Sequence, residues 1–142
     1  MPKREYTLPI PVADEASAPF FRGAKERRLM LLRCTRCGRH RLPGLERCAD
    51  CWSTDMEWVQ ASGRAKLYSF GIMHQRYHPA FADAIPYNFA VVELEEGPRL
   101  VSNIVDCPNE ELRVDMPVEA LFDDVSEETT LVRFRAAALL SP

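Results

Sequence analysis

The sequence predicts a mainly β protein with one short helix near the N-terminus, a small cysteine-rich ribbon and a five-stranded barrel. Three observations predict this order. One amphipathic segment lies at residues 18–28, two Cys-x-x-Cys pairs follow it, and short apolar runs separated by turn residues begin at residue 56. A chain of 142 residues holds one small module and a compact barrel, but not two full-sized domains. We therefore divide the chain into an N-terminal extension and helix (1–28), the ribbon (29–56) and the barrel (57–142).

The first predicted element is a helix from about Ala18 to Arg28. Four prolines in the first 19 residues predict an extended lead-in before it. Ser17 is expected to cap the first turn, and Pro19 falls inside that turn, where its missing N–H costs nothing. Phe20 and Phe21 give the helix an apolar face. A helix this short needs a surface to dock on, either its own barrel or a partner protein.

The next element carries two matched cysteine pairs, Cys-Thr-Arg-Cys and Cys-Ala-Asp-Cys, separated by ten residues. The two-residue spacer lets both sulfurs of a pair face the same side, so that the two pairs converge on one tetrahedral ion. Gly38 follows the first pair, where a positive φ lets backbone amides point at the sulfurs. The predicted metal ligands are Cys34, Cys37, Cys48 and Cys51.

We expect one structural zinc ion per chain in a rubredoxin-like ribbon. Iron suits four thiolates as well, so the spacing alone leaves iron open. Disulfides are disfavoured because the sequence shows no export signal, and a redox motif would use one Cys-x-x-Cys pair, not two. Four sulfurs close the coordination shell, so the metal is expected to be structural and not catalytic.

The strands predicted after the ribbon follow the layout of an OB-fold. Residues 56–61 and 64–73 are predicted as one strand bent at Ser62-Gly63, residues 87–94 and 99–106 as a hairpin, and residues 118–122 and 131–136 as the last two strands. A long first loop runs from His74 to Pro86, and a helical turn is expected near residues 109–113. Five strands with this loop and this turn are typical of the fold. Cys107 is expected as a small apolar side chain and not as a reactive thiol.

Charge is divided unevenly along the chain. Residues 22–47 carry nine Lys or Arg against two acids, a local charge of +7, whereas residues 48–142 carry seven basic and sixteen acidic residues, a charge of −9. The basic part is expected to face something negative, whether phosphates, a nucleic acid or an acidic protein surface. A solvated face that aids solubility is the alternative.

Apolar runs such as residues 29–32 are far shorter than the ~18 residues of a membrane helix. No apolar signal core follows the N-terminal Met. We therefore expect a cytoplasmic protein without membrane association.

The whole arrangement resembles the family of zinc-ribbon plus OB-fold proteins of the DUF35 type, found beside thiolases and acyl-CoA enzymes. The residues that carry the resemblance are Pro19-Phe20-Phe21, Leu29 to Cys34, the two cysteine pairs, Trp58, Ser62-Gly63, Pro86-Tyr87, Val92 to Leu100, Met116-Pro117-Val118 and Arg133-Phe134. The sequence departs from the family pattern at Pro43-Gly44, where two prolines are common, and at Trp52, where glycine often follows the last ligand.

The resemblance implies a non-catalytic accessory subunit in acyl-CoA metabolism. It implies a thiolase-like, hydratase-like or aldolase partner and a role in bringing acyl-CoA near the barrel. The alternative is a nucleic-acid-binding ribbon and OB module. Strand-binding OB-folds line their face with Lys or Arg, whereas residues 64–136 are acidic overall, which disfavours this alternative.

The first loop of the barrel holds the densest mixture of polar and aromatic side chains, and this loop borders the ligand face in OB-folds. We assign no catalytic residue, because no nucleophile lies near a histidine in any recognised motif. The residues expected to contact a ligand or partner are Phe20, Phe21, Arg36, Arg39, His74, Arg76, Tyr77, His78 and Tyr87. For the loop residues, exposure to solvent without a binding role is the alternative.

Overall fold

The computed structural model describes residues 6–44 and 46–137. The predicted lead-in and the predicted barrel domain therefore extend in part outside the described residues. The described residues form helix α1 (Ala18–Lys25) and nine strands. The strands are β1 (Met30–Cys34), β2 (His40–Arg41), β3 (Met56–Gln60), β4 (Arg64–Met73), β5 (Tyr87–Leu94), β6 (Arg99–Ser102), β7 (Ile104–Val105), β8 (Pro117–Asp124) and β9 (Thr130–Ala136). The predicted fold class, mainly β with an N-terminal helix, a ribbon and an OB-fold sheet, is confirmed.

The strands form two sheets. The ribbon sheet has the order β2-β1-β3, and the barrel sheet has the order β6-β5-β4-β8-β9-β7. The predicted strand at residues 99–106 is broken at Asn103, so that β6 pairs with β5 while β7 pairs in parallel with β9. Because β6 and β7 follow each other directly in the chain, these pairings curl the sheet into a barrel with six strand segments instead of five.

The segment predicted as one bent strand is split between the two sheets. β3 pairs with β1 along its whole length, whereas β4 pairs with β5 and β8. The chain changes direction at Gly63, which has a φ of 82°. Just before this turn, the Ala61 N–H donates to the Leu29 carbonyl at 2.8 Å. The junction between ribbon and barrel is therefore short and hydrogen-bonded.

One apolar core lies inside the barrel and continues under the ribbon. Leu67, Val92 and Phe134 are fully buried barrel residues, and Leu29 and Leu31 from the ribbon side pack into the same cluster. Burial of a side chain of this size contributes roughly 1.5–3 kcal/mol. Ribbon and barrel thus share the apolar contacts that stabilise them both.

Helix α1 docks within its own chain, where it contacts β8 and β9 of the barrel and β1 of the ribbon. It ends at Lys25, three residues before the predicted end. Arg27 has a φ of 65°, and the Arg28 N–H donates to the Gly23 carbonyl at 2.8 Å, which is the Schellman pattern of helix termination. The prediction that Ser17 caps the first turn is wrong, because the Ser17 hydroxyl donates to the Asp14 carboxylate at 2.6 Å.

The described residues include no helix that is both long and apolar enough to cross a membrane.

Candidate metal centre and contact surfaces

The four predicted metal ligands lie together at one end of the ribbon. Their sulfur atoms all lie within 4.8 Å of one another. The sulfurs of Cys34 and Cys51 are 3.5 Å apart, as are those of Cys37 and Cys48. A tetrahedral site with bonds of about 2.3 Å has sulfur to sulfur edges of about 3.8 Å. The arrangement therefore fits one tetrahedral ion with little adjustment.

The two cysteine turns have the same backbone design. In the first turn, the Gly38 N–H donates to the Cys34 carbonyl at 2.8 Å, and Gly38 has a φ of 82°. In the second turn, the Trp52 N–H donates to the Cys48 carbonyl at 2.9 Å, and Trp52 has a φ of 65°. The positive φ predicted for Gly38 is therefore present, and Trp52 adopts the equivalent conformation with a full side chain.

Backbone amides stabilise the thiolate form at the buried member of each pair. The Cys51 amide is the main cause that lowers the pKa of Cys48 to about 6, and the Cys37 amide chiefly lowers the pKa of Cys34. The Ser53 amide also lowers the pKa of Cys51, but burial and the neighbouring thiols outweigh it and raise that pKa to about 12. A divalent ion is what lets all four sulfurs be thiolates together.

A guanidinium lies against the centre. Arg41 donates to the Cys48 sulfur at 3.2 Å and to the Arg47 carbonyl at 3.1 Å. Its positive charge offsets part of the −2 charge of a zinc ion with four thiolates. The donor set, the amides and this cation all fit a structural zinc ion, and the closed sulfur shell leaves no position for substrate.

The predicted contact residues of the ribbon are exposed. Arg39 forms an ion pair with Asp50 at 3.5 Å, whereas the Arg36 side chain forms no ion pair with any residue that the structure describes. On α1, Phe20 packs against the barrel core. The Phe20 and Phe21 rings meet edge to face at 5.5 Å, and both side chains are half-buried. Phe20 therefore has a structural role within the chain.

The first loop of the barrel presents most of its predicted contact residues to solvent. His74, Arg76, Tyr77 and His78 are exposed. Nδ1 of His78 accepts from the Ala80 N–H at 3.0 Å and so begins a short 3-10 helix at Pro79–Phe81. Tyr87 is half-buried at the start of β5, where its ring lies 5.5 Å from that of Phe81. The loop brings Phe81 and Tyr87 together but holds no second cluster of metal ligands among the residues described.

A cleft of about 300 Å³ lies beneath this loop. Its walls include Phe81, Tyr87 and Cys107. The buried Asn88 side chain in the cleft donates to the Ile104 carbonyl at 2.8 Å and accepts from the Ile104 N–H at 2.8 Å. Because the amide of Asn88 is satisfied internally, the cleft offers a mainly apolar surface. Burial is the first cause that raises the pKa of Cys107, which agrees with an unreactive thiol.

An aromatic sheet face was missed by the sequence reasoning. The Phe89 ring lies across Gly71, where an added Cβ would meet it at 2.4 Å. The Arg99 guanidinium lies 3.8 Å from the centre of the Tyr68 ring, and Val101 is exposed beside them on β6. The alternation in β5 was the available signal, because it places Phe89 on the face opposite the buried Asn88 and Ala90.

Two family models match the chain. The model of the ChsH2 rubredoxin-like zinc ribbon domain matches residues 21–57, and the model of the ChsH2 C-terminal OB-fold domain matches residues 58–123. The two matches meet between the ribbon and the barrel, and the first agrees with a zinc ion at the four cysteines.

Three curated proteins are similar to the chain. A probable enoyl-CoA hydratase alpha subunit of Thermomonospora curvata is 39% identical over 91% of this chain, which spans 40% of that protein's length. A DUF35 domain-containing scaffold protein of Methanocaldococcus jannaschii is 36% identical over 81% of this chain and 82% of its own. A benzoylsuccinyl-CoA thiolase subunit of Geobacter metallireducens is 32% identical over 67% of this chain and 57% of its own.

The chain is also similar to a solved structure. The Ltp2-ChsH2(DUF35) aldolase contains a chain with a TM-score of 0.79 and 39% sequence identity. The match covers 90% of this chain and 99% of that one.

Proposed function

The chain belongs to the DUF35 family of zinc-ribbon and OB-fold proteins, and from this premise we propose that it is a non-catalytic accessory subunit of an enzyme acting on acyl-CoA. The observation that carries the proposal is the closed four-sulfur metal shell. It gives the ribbon rigidity without giving it a site for chemistry. A role in holding another protein or a ligand fits such a shell better than a role in catalysis.

The names of the relatives support this direction. They describe an alpha subunit of a hydratase, a subunit of a thiolase and a scaffold protein. Hydratase and thiolase in these names act on CoA esters, and a subunit acts together with another chain. For this chain we therefore propose a thiolase-like, hydratase-like or aldolase partner in the cytoplasm.

We assign the partner contact to three features. They are the exposed side of α1, the basic ribbon and the first loop of the barrel. The residues concerned are Phe21, Arg36, Arg39, His74, Arg76, Tyr77, His78 and Tyr87. Exposed aromatic side chains beside arginines are the composition that protein interfaces favour.

A contribution to acyl-CoA binding belongs to the same proposal. The apolar cleft under the first loop suits an acyl chain. Exposed cations such as Arg36, which forms no ion pair among the described residues, suit the phosphates of CoA. The barrel face is less suited to a nucleic acid. Lys66 and Arg99, next to its aromatic residues, both pair with Glu93, at 3.6 and 3.1 Å.

Co-expression tests the proposal. The chain is produced together with a thiolase-like or hydratase-like protein encoded beside its gene, and the complex is analysed by size-exclusion chromatography with light scattering. We expect the two chains to elute together at a fixed ratio, and we expect the purified chain alone to show no thiolase, hydratase or aldolase turnover. Separate elution, or turnover by the chain alone that is lost on His74→Ala or His78→Ala, would overturn it.

A further inference from the structure

Trp52 is unusual for its exposure. It is one of two tryptophans in the chain and leaves 72% of its surface open, whereas Trp58 is half-buried. A tryptophan buries more apolar area than any other side chain when it meets a surface. In the isolated chain most of that area remains in contact with water.

Its backbone is unusual as well. Trp52 has a φ of 65°, a conformation that costs a residue with a Cβ roughly 1 kcal/mol and that glycine adopts freely. The equivalent residue in the other cysteine turn is Gly38. A glycine at position 52 would therefore serve the metal turn better than the tryptophan does. Neither burial nor backbone preference within the chain accounts for an indole here.

The backbone of Trp52 is held in place by its neighbours. The Trp52 N–H donates to the Cys48 carbonyl at 2.9 Å, and the Trp52 carbonyl accepts from the Arg47 guanidinium at 3.2 Å. The preceding residue, Cys51, is a metal ligand. Because both sides of the residue are held, little backbone entropy is lost when the indole enters a binding site.

The surroundings are cationic. From residue 33 to residue 52 the chain carries five arginines against two acids, a net charge of +3, and the −2 charge of a zinc ion with four thiolates still leaves about +1. Arg36, in the first cysteine turn, is exposed and forms no ion pair within the described part of the chain. Tryptophan and arginine are the residues most enriched among those that dominate binding energy at protein interfaces.

We propose that Trp52 is the anchor by which the tip of the ribbon docks into an apolar pocket with an acidic rim on the partner enzyme. This inference rests on the proposed function, since it names the surface through which the accessory subunit holds that enzyme. Four clefts of the described chain lie on the barrel, beside α1 and at the junction with the ribbon. Small ligands bind in concave sites, whereas Trp52 protrudes from an exposed turn and its backbone is held in place. Such a side chain suits insertion into a pocket on a partner protein.

The substitution Trp52→Gly separates this role from a structural one. It removes the indole and relieves the backbone strain together, so we expect full zinc content and an equal or higher melting temperature. Affinity for the co-expressed partner enzyme, measured by biolayer interferometry, should fall about 30-fold or more. Val114→Ala, which truncates another exposed apolar residue far from the cysteine turns in sequence, is the matched control and should leave affinity unchanged.

A second variant tests the cationic surroundings independently. Arg36→Glu reverses a charge that has no partner within the described residues, so it should leave folding intact. It should weaken association and reduce its dependence on salt.

The outcomes distinguish the two proposals. Failure of the wild-type chain to bind the enzyme refutes the accessory function itself. Binding by the wild type together with undiminished binding by Trp52→Gly refutes the anchor alone. Loss of zinc or of folding in Trp52→Gly shows a structural role and also overturns the anchor. Protection of Trp52 fluorescence from iodide quenching by CoA or by a single-stranded oligonucleotide, but not by the enzyme, would assign the indole to another ligand.

Discussion

Single cysteines determine whether the ribbon holds its metal. Cys34 and Cys48 are buried, and their thiolates accept hydrogen bonds from the backbone amides of the cysteine turns. Because the ribbon has few buried residues of its own, most of its folding free energy comes from metal binding. Each ligand is therefore expected to be essential for folding.

We predict that Cys48→Ser reduces the zinc content from about one ion per chain to near zero and unfolds the ribbon. Elemental analysis and circular dichroism measure the two effects. Cys107→Ser is the matched control, because Cys107 lies outside the metal cluster and should keep its zinc. Full zinc content in Cys48→Ser would contradict the assignment of this ligand.

Asp124 ties the end of α1 to the barrel. Its carboxylate accepts two hydrogen bonds from Arg27, at 2.8 and 2.6 Å, and one from Thr130 at 2.6 Å. The Arg27 hydrogen bonds are the main cause that holds the pKa of Asp124 far below its ordinary value of 3.8. A pKa that is lower in the folded chain means that the ionised carboxylate stabilises the fold at neutral pH.

We predict that Asp124→Asn lowers the free energy of unfolding at pH 7 by about 0.5–1 kcal/mol, since both partners of the ion pair are half exposed. The difference from wild type should shrink as the pH falls below about 3.8, where the carboxylate becomes protonated in the unfolded chain. Urea titrations of both proteins between pH 7 and pH 3 measure this. A difference that grows on acidification would contradict the assigned sign.

At the scale of elements, α1 divides its two phenylalanines between core and surface. Phe20 packs against the barrel core, while Phe21 belongs to the side proposed to meet the partner. We predict that Phe20→Ala lowers the free energy of unfolding by about 1–3 kcal/mol. Phe21→Ala should lower it by less and weaken partner binding more. Melting temperature and affinity are measured on both variants, and a lower melting temperature for Phe21→Ala with unchanged affinity would exclude α1 from the interface.

In the barrel sheet, Gly71 makes room for the Phe89 ring. We predict that Gly71→Ala costs about 1 kcal/mol of stability or less in the wild-type background, because the new Cβ overlaps the end of the Phe89 ring and this half-exposed ring must move aside. The cost should nearly vanish in a Phe89→Ala background. A double-mutant cycle measured by urea denaturation gives both values, and an equal cost in the two backgrounds would show that the ring is not the obstacle.

The elements that the sequence predicted well are those with a strong local pattern. β5 and the strands around it alternate between buried and open positions, and the turn at Gly97-Pro98 separates β5 from β6. The end of α1 was missed because Arg27, and not glycine, takes the positive φ. The short strands β2 and β7 contain two residues each, which is too few to show any periodicity.

At the scale of the whole molecule, long-range pairing could not be read from the sequence. Nothing local tells that β3 pairs with β1 while β4 pairs with β8, because both of these partners lie far away in the chain. The metal centre was predictable in full, since its ligands are defined by residue type and spacing. The exposure of Trp52 depends on which side of its turn faces solvent, and that is fixed only by the assembled core, whereas the alternation of β5 signals the exposure of Phe89.

The core shared by Leu29, Leu31 and the barrel, together with the hydrogen bond from Ala61 to Leu29, has a consequence for the proposed accessory role. Because of these contacts, the zinc site and the barrel loops keep a fixed position relative to each other. Two proteins bound at these two places would be held at a fixed distance and a fixed angle to each other. Under the proposed function, the choice of partner enzymes then depends on spacing as well as on chemical recognition. Lengthening the link at Ser62-Gly63 would change that spacing without altering either contact surface.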